Sequence, residues 1–160
     1  MAFRKLADNE TLVRWMLNHG ADPSREEAPP AHHTPFDGPA YAHSGASLNA
    51  AASSGSLEVF NLVIEHGANL ENSVAVHRAA ASWNEGSERL PIMARILELG
   101  TDVNGLDELE GPYGCGTALH HATICNMNAR AKFWLANGAD PLTHSRMGVS
   151  SFQEAKDRGR

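Results

Sequence analysis

His19-Gly20-Ala21-Asp22-Pro23 returns further along the chain as His66-Gly67-Ala68-Asn69, then in shorter form as Gly100-Thr101-Asp102, and again as Gly138-Ala139-Asp140-Pro141. The glycines of this phrase stand 47, 33 and 38 residues apart. A unit near 33 residues that recurs with insertions is the signature of stacked repeats. Each copy closes an apolar stretch: Trp15-Met16-Leu17, Leu62-Val63-Ile64, Arg95-Ile96-Leu97 and Phe133-Trp134-Leu135. With apolar partners three or four residues earlier, these triplets predict one buried helical stripe per copy, with Trp15 and Trp134 both in the core. The glycine fits the position just past a helix C-terminus, where positive φ is needed. Asp22, Asn69, Asp102 and Asp140 fit the turn that follows, because their side chains reach nearby backbone amides. His19 and His66 precede the glycine, where an imidazole complements the helix C-terminus.

A second pattern lies upstream in the units: Leu48-Asn49-Ala50-Ala51-Ala52, Val76-His77-Arg78-Ala79-Ala80 and Leu119-His120-His121-Ala122-Thr123. Each predicts a short helix with a small-residue face that lets a second helix approach closely. Ser150-Ser151-Phe152-Gln153-Glu154-Ala155 repeats the first helix without a second, as an end cap would.

These patterns together resemble the ankyrin repeat family, whose unit opens T-P-L-H-x-A-A and closes V-x-x-L-L-x-x-G-A-D. The matching stretches are Thr117-Ala118-Leu119-His120-His121-Ala122 and Leu57-Glu58-Val59-Phe60-Asn61-Leu62-Val63-Ile64-Glu65-His66-Gly67-Ala68. No unit carries the family's opening proline, and Asn49 stands where histidine is usual. The resemblance implies an all-α, ankyrin-type solenoid of helix-turn-helix repeats joined by loop or β-turn fingers. The expected arrangement is a single domain over 1–160, with three fuller repeats and partial terminal ones: about 1–24, 46–72, 73–105 and 115–142, then a cap at 146–158. It also implies that His77 and His120 are structural, each ring bonding neighbouring backbone.

Three insertions interrupt the units: 25–45, rich in Pro, His and Gly; 83–90, which carries Trp83; and 106–116, with an acidic half and a Gly-rich half around Tyr113. Long loops in compact domains are commonly functional.

A formal net charge of −6 argues against a nucleic-acid partner and permits a basic protein partner. Two cysteines, Cys115 and Cys125, without a CxxC are too few for a disulfide framework. No apolar run reaches membrane-spanning length, and the first ten residues lack the apolar core of a signal peptide, so an intracellular, non-membrane protein is expected. The motifs GxSxG, P-loop, dinucleotide glycine pattern and HExxH are missing, which weighs against an enzyme and implies no cofactor. His32-His33 has no further ligand at metal spacing, so no metal site is expected.

The resemblance therefore implies a protein–protein interaction module that binds another protein or a peptide through a concave groove and its fingers. The candidate contact residues are Tyr41, His43, Ser53, Ser54, Trp83, Asp107, Glu110, Tyr113, His121 and Cys125. In this scheme aromatic anchors supply affinity, and an acidic lip of Asp107, Glu108 and Glu110 steers a basic segment. The alternative is a small-molecule site or cofactor-independent enzyme, with His121 or His43 as general base and Tyr113 or Glu110 as acid.

Overall fold

A computed structural model describes residues 9–25, 45–71, 73–82, 89–107 and 116–159. Among these residues the architecture is all-helical: eight helices and one isolated bridge, between His144 and Ser150. The helices are α1 (Glu10–Asn18), α2 (Ala46–Ser54), α3 (Leu57–Glu65), α4 (Ala75–Ala81), α5 (Leu90–Glu98), α6 (Ala118–Ile124), α7 (Asn128–Ala136) and α8 (Ser151–Asp157). The backbone divides into two compact units, Met1–Ala75 and Val76–Arg160. In the first, α3 packs against α1 and α2; in the second, α6 packs against α7 and α8.

Local chemistry starts these helices where the sequence offers a cap. Asn9, Ser56, Thr117 and Ser150 each accept a bond from a backbone N–H three residues on. The four repeated glycines then end α1, α3, α5 and α7 in one way. Gly20, Gly67, Gly100 and Gly138 have φ of +87°, +95°, +84° and +91°. In three of the four copies the following alanine N–H returns to a helix carbonyl: Ala21 to Met16, Ala68 to Val63 and Ala139 to Trp134. That is the two-bond closure a left-handed residue makes possible. The next polar residue closes the turn each time: Asp22, Asn69, Asp102 and Asp140 accept the N–H of Ser24, Glu71, Asn104 and Leu142 at 2.8–2.9 Å. At the C-cap, the Nδ1–H of His19 and of His66 donates to the carbonyl four residues back, and the Asn137 amide does the same.

The core of each unit is the stripe these helices share. Val59, Phe60 and Val63 are buried in the first unit, and Ile92, Met93, Ile96, Leu119 and Trp134 in the second. Trp15 departs from expectation: it is 57% exposed and stacks on the His19 ring with centroids 4.2 Å apart. In α1 the buried residues are Val13 and Leu17, one turn apart. Trp15 lies two residues from each, so it faces the other side of the helix.

One side-chain position repeats its role. Asn49 accepts the N–H of Val74 at 2.8 Å. His77 donates through Nε2–H to the Gly105 carbonyl at 3.0 Å, and His120 donates likewise to Val149 at 3.0 Å. In sequence these partners lie 25, 28 and 29 residues downstream.

Candidate functional site

In the second unit, polar side chains converge on the ends of two insertions. Thr117 opens α6 with a capping box, its hydroxyl and backbone N–H both bonded to Nδ1 of His120. This turns His120 inward. The next residue points about 100° away around the helix. There His121 Nε2–H donates to Asp107 Oδ2 at 2.7 Å. The Asp107 side chain is 1% exposed and that of His121 18%. The Asp107 N–H also bonds the Gly116 carbonyl at 3.0 Å, so the residues on either side of 108–115 are tied to each other and to α6.

His77 packs its ring edge-on to His121, with centroids 5.4 Å apart. Burial pushes the His77 imidazole from 6.5 down to about 4. The bond to Gly105 and the Asp107 charge oppose that shift, while His121 and Arg78 add to it. His77 is therefore neutral near pH 7, with its proton on Nε2 and a buried Nδ1 that has no hydrogen-bond partner. Position explains the contrast with His120. Three residues before His77 stands Val74, without a hydroxyl, where Thr117 precedes His120. Burial lowers the His120 imidazole as well.

The second convergence involves Arg130 of α7. It is buried, and Nη1 donates to the carbonyls of Ala80 and Ser82, where α4 ends. A cation suits the negative end of a helix. Ser82 and Arg89, the residues flanking 83–88, are both buried. Burial lowers the Arg130 guanidinium, and the neighbouring Arg89 charge adds to the effect.

The sequence-predicted residues fall unevenly on this frame. Tyr41, His43, Trp83, Glu110 and Tyr113 lie outside the described residues. Ser53 and Ser54 belong to the first unit, and both hydroxyls donate back to the Ala50 carbonyl. Asp107, His121 and Cys125 belong to the second unit. The expectation that Asp107 forms part of an exposed acidic lip is corrected. Its carboxylate is turned inward onto His121, and burial removes it from the surface. Cys125 is half-buried at the C-cap of α6, and burial pushes its thiol up, which disfavours the reactive thiolate.

Arg130 escaped the sequence reading, although one signal was available. It stands four residues before Trp134, where Val59 precedes Val63 and Ile92 precedes Ile96. A charged residue on an apolar stripe needs a buried partner.

Among the described residues, no group of three or more His, Cys, Asp or Glu is arranged to hold a metal ion. No described helix is long and apolar enough to cross a membrane. No protein-family model matches the chain, and a search of curated proteins finds no match.

Proposed function

We propose that this chain is an ankyrin-type repeat protein that binds a protein or peptide through its insertions, chiefly 83–90 and 106–116. The repeat reading draws on the fourfold glycine closure and on the shared role of Asn49, His77 and His120. The binding reading rests on one observation. Two buried charged groups of the second unit are committed to the ends of its two insertions: Arg130 to Ala80 and Ser82, and Asp107 to His121 and Gly116. A recognition loop gains affinity when its ends are fixed, because less conformational freedom is lost on binding. A rigid scaffold that carries loops is the common arrangement for such surfaces.

The test keeps the frame and exchanges the loops. Residues 108–115 and, separately, 84–87 are replaced by glycine-serine segments of equal length, with Asp107, Gly116, His121 and Arg130 retained. Partners of the wild-type chain are identified by cross-linking and mass spectrometry, and their affinities are then measured for both variants. Loss of affinity with unchanged helical content is the expected result. Full affinity in both variants would refute the assignment.

A further inference from the structure

We infer that His77 is an acid-sensitive latch: a second proton drives its ring out of its buried site and frees the backbone from Gly105 to Asp107. The latch stands on its own geometry. Only its use, as regulation of partner binding beside 108–115, rests on the reading proposed above.

The two ring nitrogens have different surroundings. Nε2–H donates to the Gly105 carbonyl at 3.0 Å, while Nδ1 is buried and has no hydrogen-bond partner. A second proton can go only to Nδ1, which would then be a donor without an acceptor, closed off from water. An unpaired charge in such a place is strongly disfavoured, and the ring escapes the penalty by turning out to solvent. His120 shows the contrast. Its Nε2–H also donates to a backbone carbonyl, that of Val149, but its Nδ1 meets the Thr117 hydroxyl at 2.9 Å, an oxygen able to accept. Val74 stands in the corresponding place before His77 and offers no such oxygen.

The ring holds more than one carbonyl. It packs edge-on against His121, with centroids 5.4 Å apart, and His121 Nε2 meets Asp107 Oδ2 at 2.7 Å. The Asp107 N–H bonds the Gly116 carbonyl at 3.0 Å, and Asp107 has further interactions as well. Departure of the His77 ring therefore removes the tie to Gly105 directly and takes the packing from behind His121. The charged and titratable groups that act on the ring are His121 of α6, Asp107, and Arg78 of its own helix, and burial outweighs each of them.

The experiment follows amide hydrogen exchange by NMR in the full chain, with no partner added, from about pH 7 to about pH 5. Rates are corrected for the intrinsic pH dependence of exchange. An exposed imidazole takes up its proton near 6.5 and the latched one at about 4, so the opening equilibrium should rise about twentyfold over this range. The Asp107 N–H reports it. Low concentrations of urea should leave that amide's rate unchanged, because a local opening exposes little surface, and should quicken the amides of Ile96 and Trp134. His77→Gln should remove the pH dependence at Asp107. Val74→Thr, which places a hydroxyl three residues ahead of the ring as Thr117 does for His120, should reduce it.

The inference is overturned if Asp107 exchange does not rise on acidification, or if the full rise persists in His77→Gln. It is equally overturned if Asp107 and the helix amides share one urea dependence, since the backbone would then open only on unfolding. Should His77→Gln fail to fold, Val74→Thr decides the matter, and an undiminished rise there refutes the latch. Because no partner takes part, these failures leave the binding reading standing, and failure of the loop exchange leaves the latch standing.

Discussion

Acidifying this protein from about pH 7 to about pH 5 should destabilise it, and His77 should carry much of the effect. The imidazole sits at about 4 in the fold against 6.5 in the unfolded chain. Its neutral form is the one the fold favours. At about pH 7 both states are mostly neutral, and the full contribution is present. As pH falls through 6.5, the unfolded chain binds a proton that the folded chain refuses, so stability drops, and it stops dropping near the folded value of about 4. Each unit of difference is worth about 1.4 kcal/mol, so the loss between about pH 7 and pH 5 is about 2 kcal/mol. His120, also lowered by burial, acts in the same direction. The groups facing His77 are His121, Asp107 and Arg78, and their opposed effects are smaller than that of burial. Urea titrations followed by far-ultraviolet circular dichroism, at several pH values in this window, measure the slope. His77→Gln keeps an amide donor for the Gly105 carbonyl and has nothing to protonate, so its slope should be shallower by most of that amount. Wild-type stability that is flat or rises on acidification would refute the reasoning. So would a His77→Gln variant with the full wild-type slope.

Two further substitutions probe the repeated local chemistry. Gly67→Ala should cost about 1 kcal/mol, read from the urea midpoint. A Cβ there meets no atom within 4 Å, so the loss comes from the φ of +95° alone, and a neutral or stabilising result would contradict it. Thr117→Val removes the helix cap and the hydroxyl bonded to His120 Nδ1, leaving that nitrogen with the backbone N–H of residue 117 as its partner. Thermal unfolding should report a loss of about 1–2 kcal/mol, and an unchanged midpoint would show that the capping box contributes nothing.

Much of the helical pattern was legible because it is written in neighbouring residues. A glycine that needs positive φ, followed two residues on by Asp or Asn, is a local device, and it closes four helices where the phrase stands. Backbone-bonded rings at His77 and His120 were implied by the family resemblance, and each ring bonds a carbonyl 28 or 29 residues downstream. Facing is less local. Aligning triplets on the glycine left open which of three consecutive residues points inward, and in α1 that choice put Trp15 outside and Leu17 inside. Pairing across a loop is not local at all. Asp107 read as part of an acidic run until the fold brought it to His121, fourteen residues away.

Arg130 shows why the insertions draw attention as more than spacers. Val59 and Ile92 fill the corresponding place with apolar side chains and need no partner there. Burying a guanidinium instead costs several kcal/mol of desolvation, which its hydrogen bonds must offset. Stability alone therefore gives no reason to prefer arginine at this position. What the residue adds is a fixed geometry at Ser82, on one side of 83–88, just as Asp107 and His121 add one beside 108–115. Two costly groups committed to two insertion ends are expected when the position of those loops matters. Arg130→Met separates the two roles. If the arginine serves the loop, amide exchange should quicken at Ser82 and Arg89 while the helices of the second unit keep their protection. If it serves the core alone, protection should fall throughout α6 and α7.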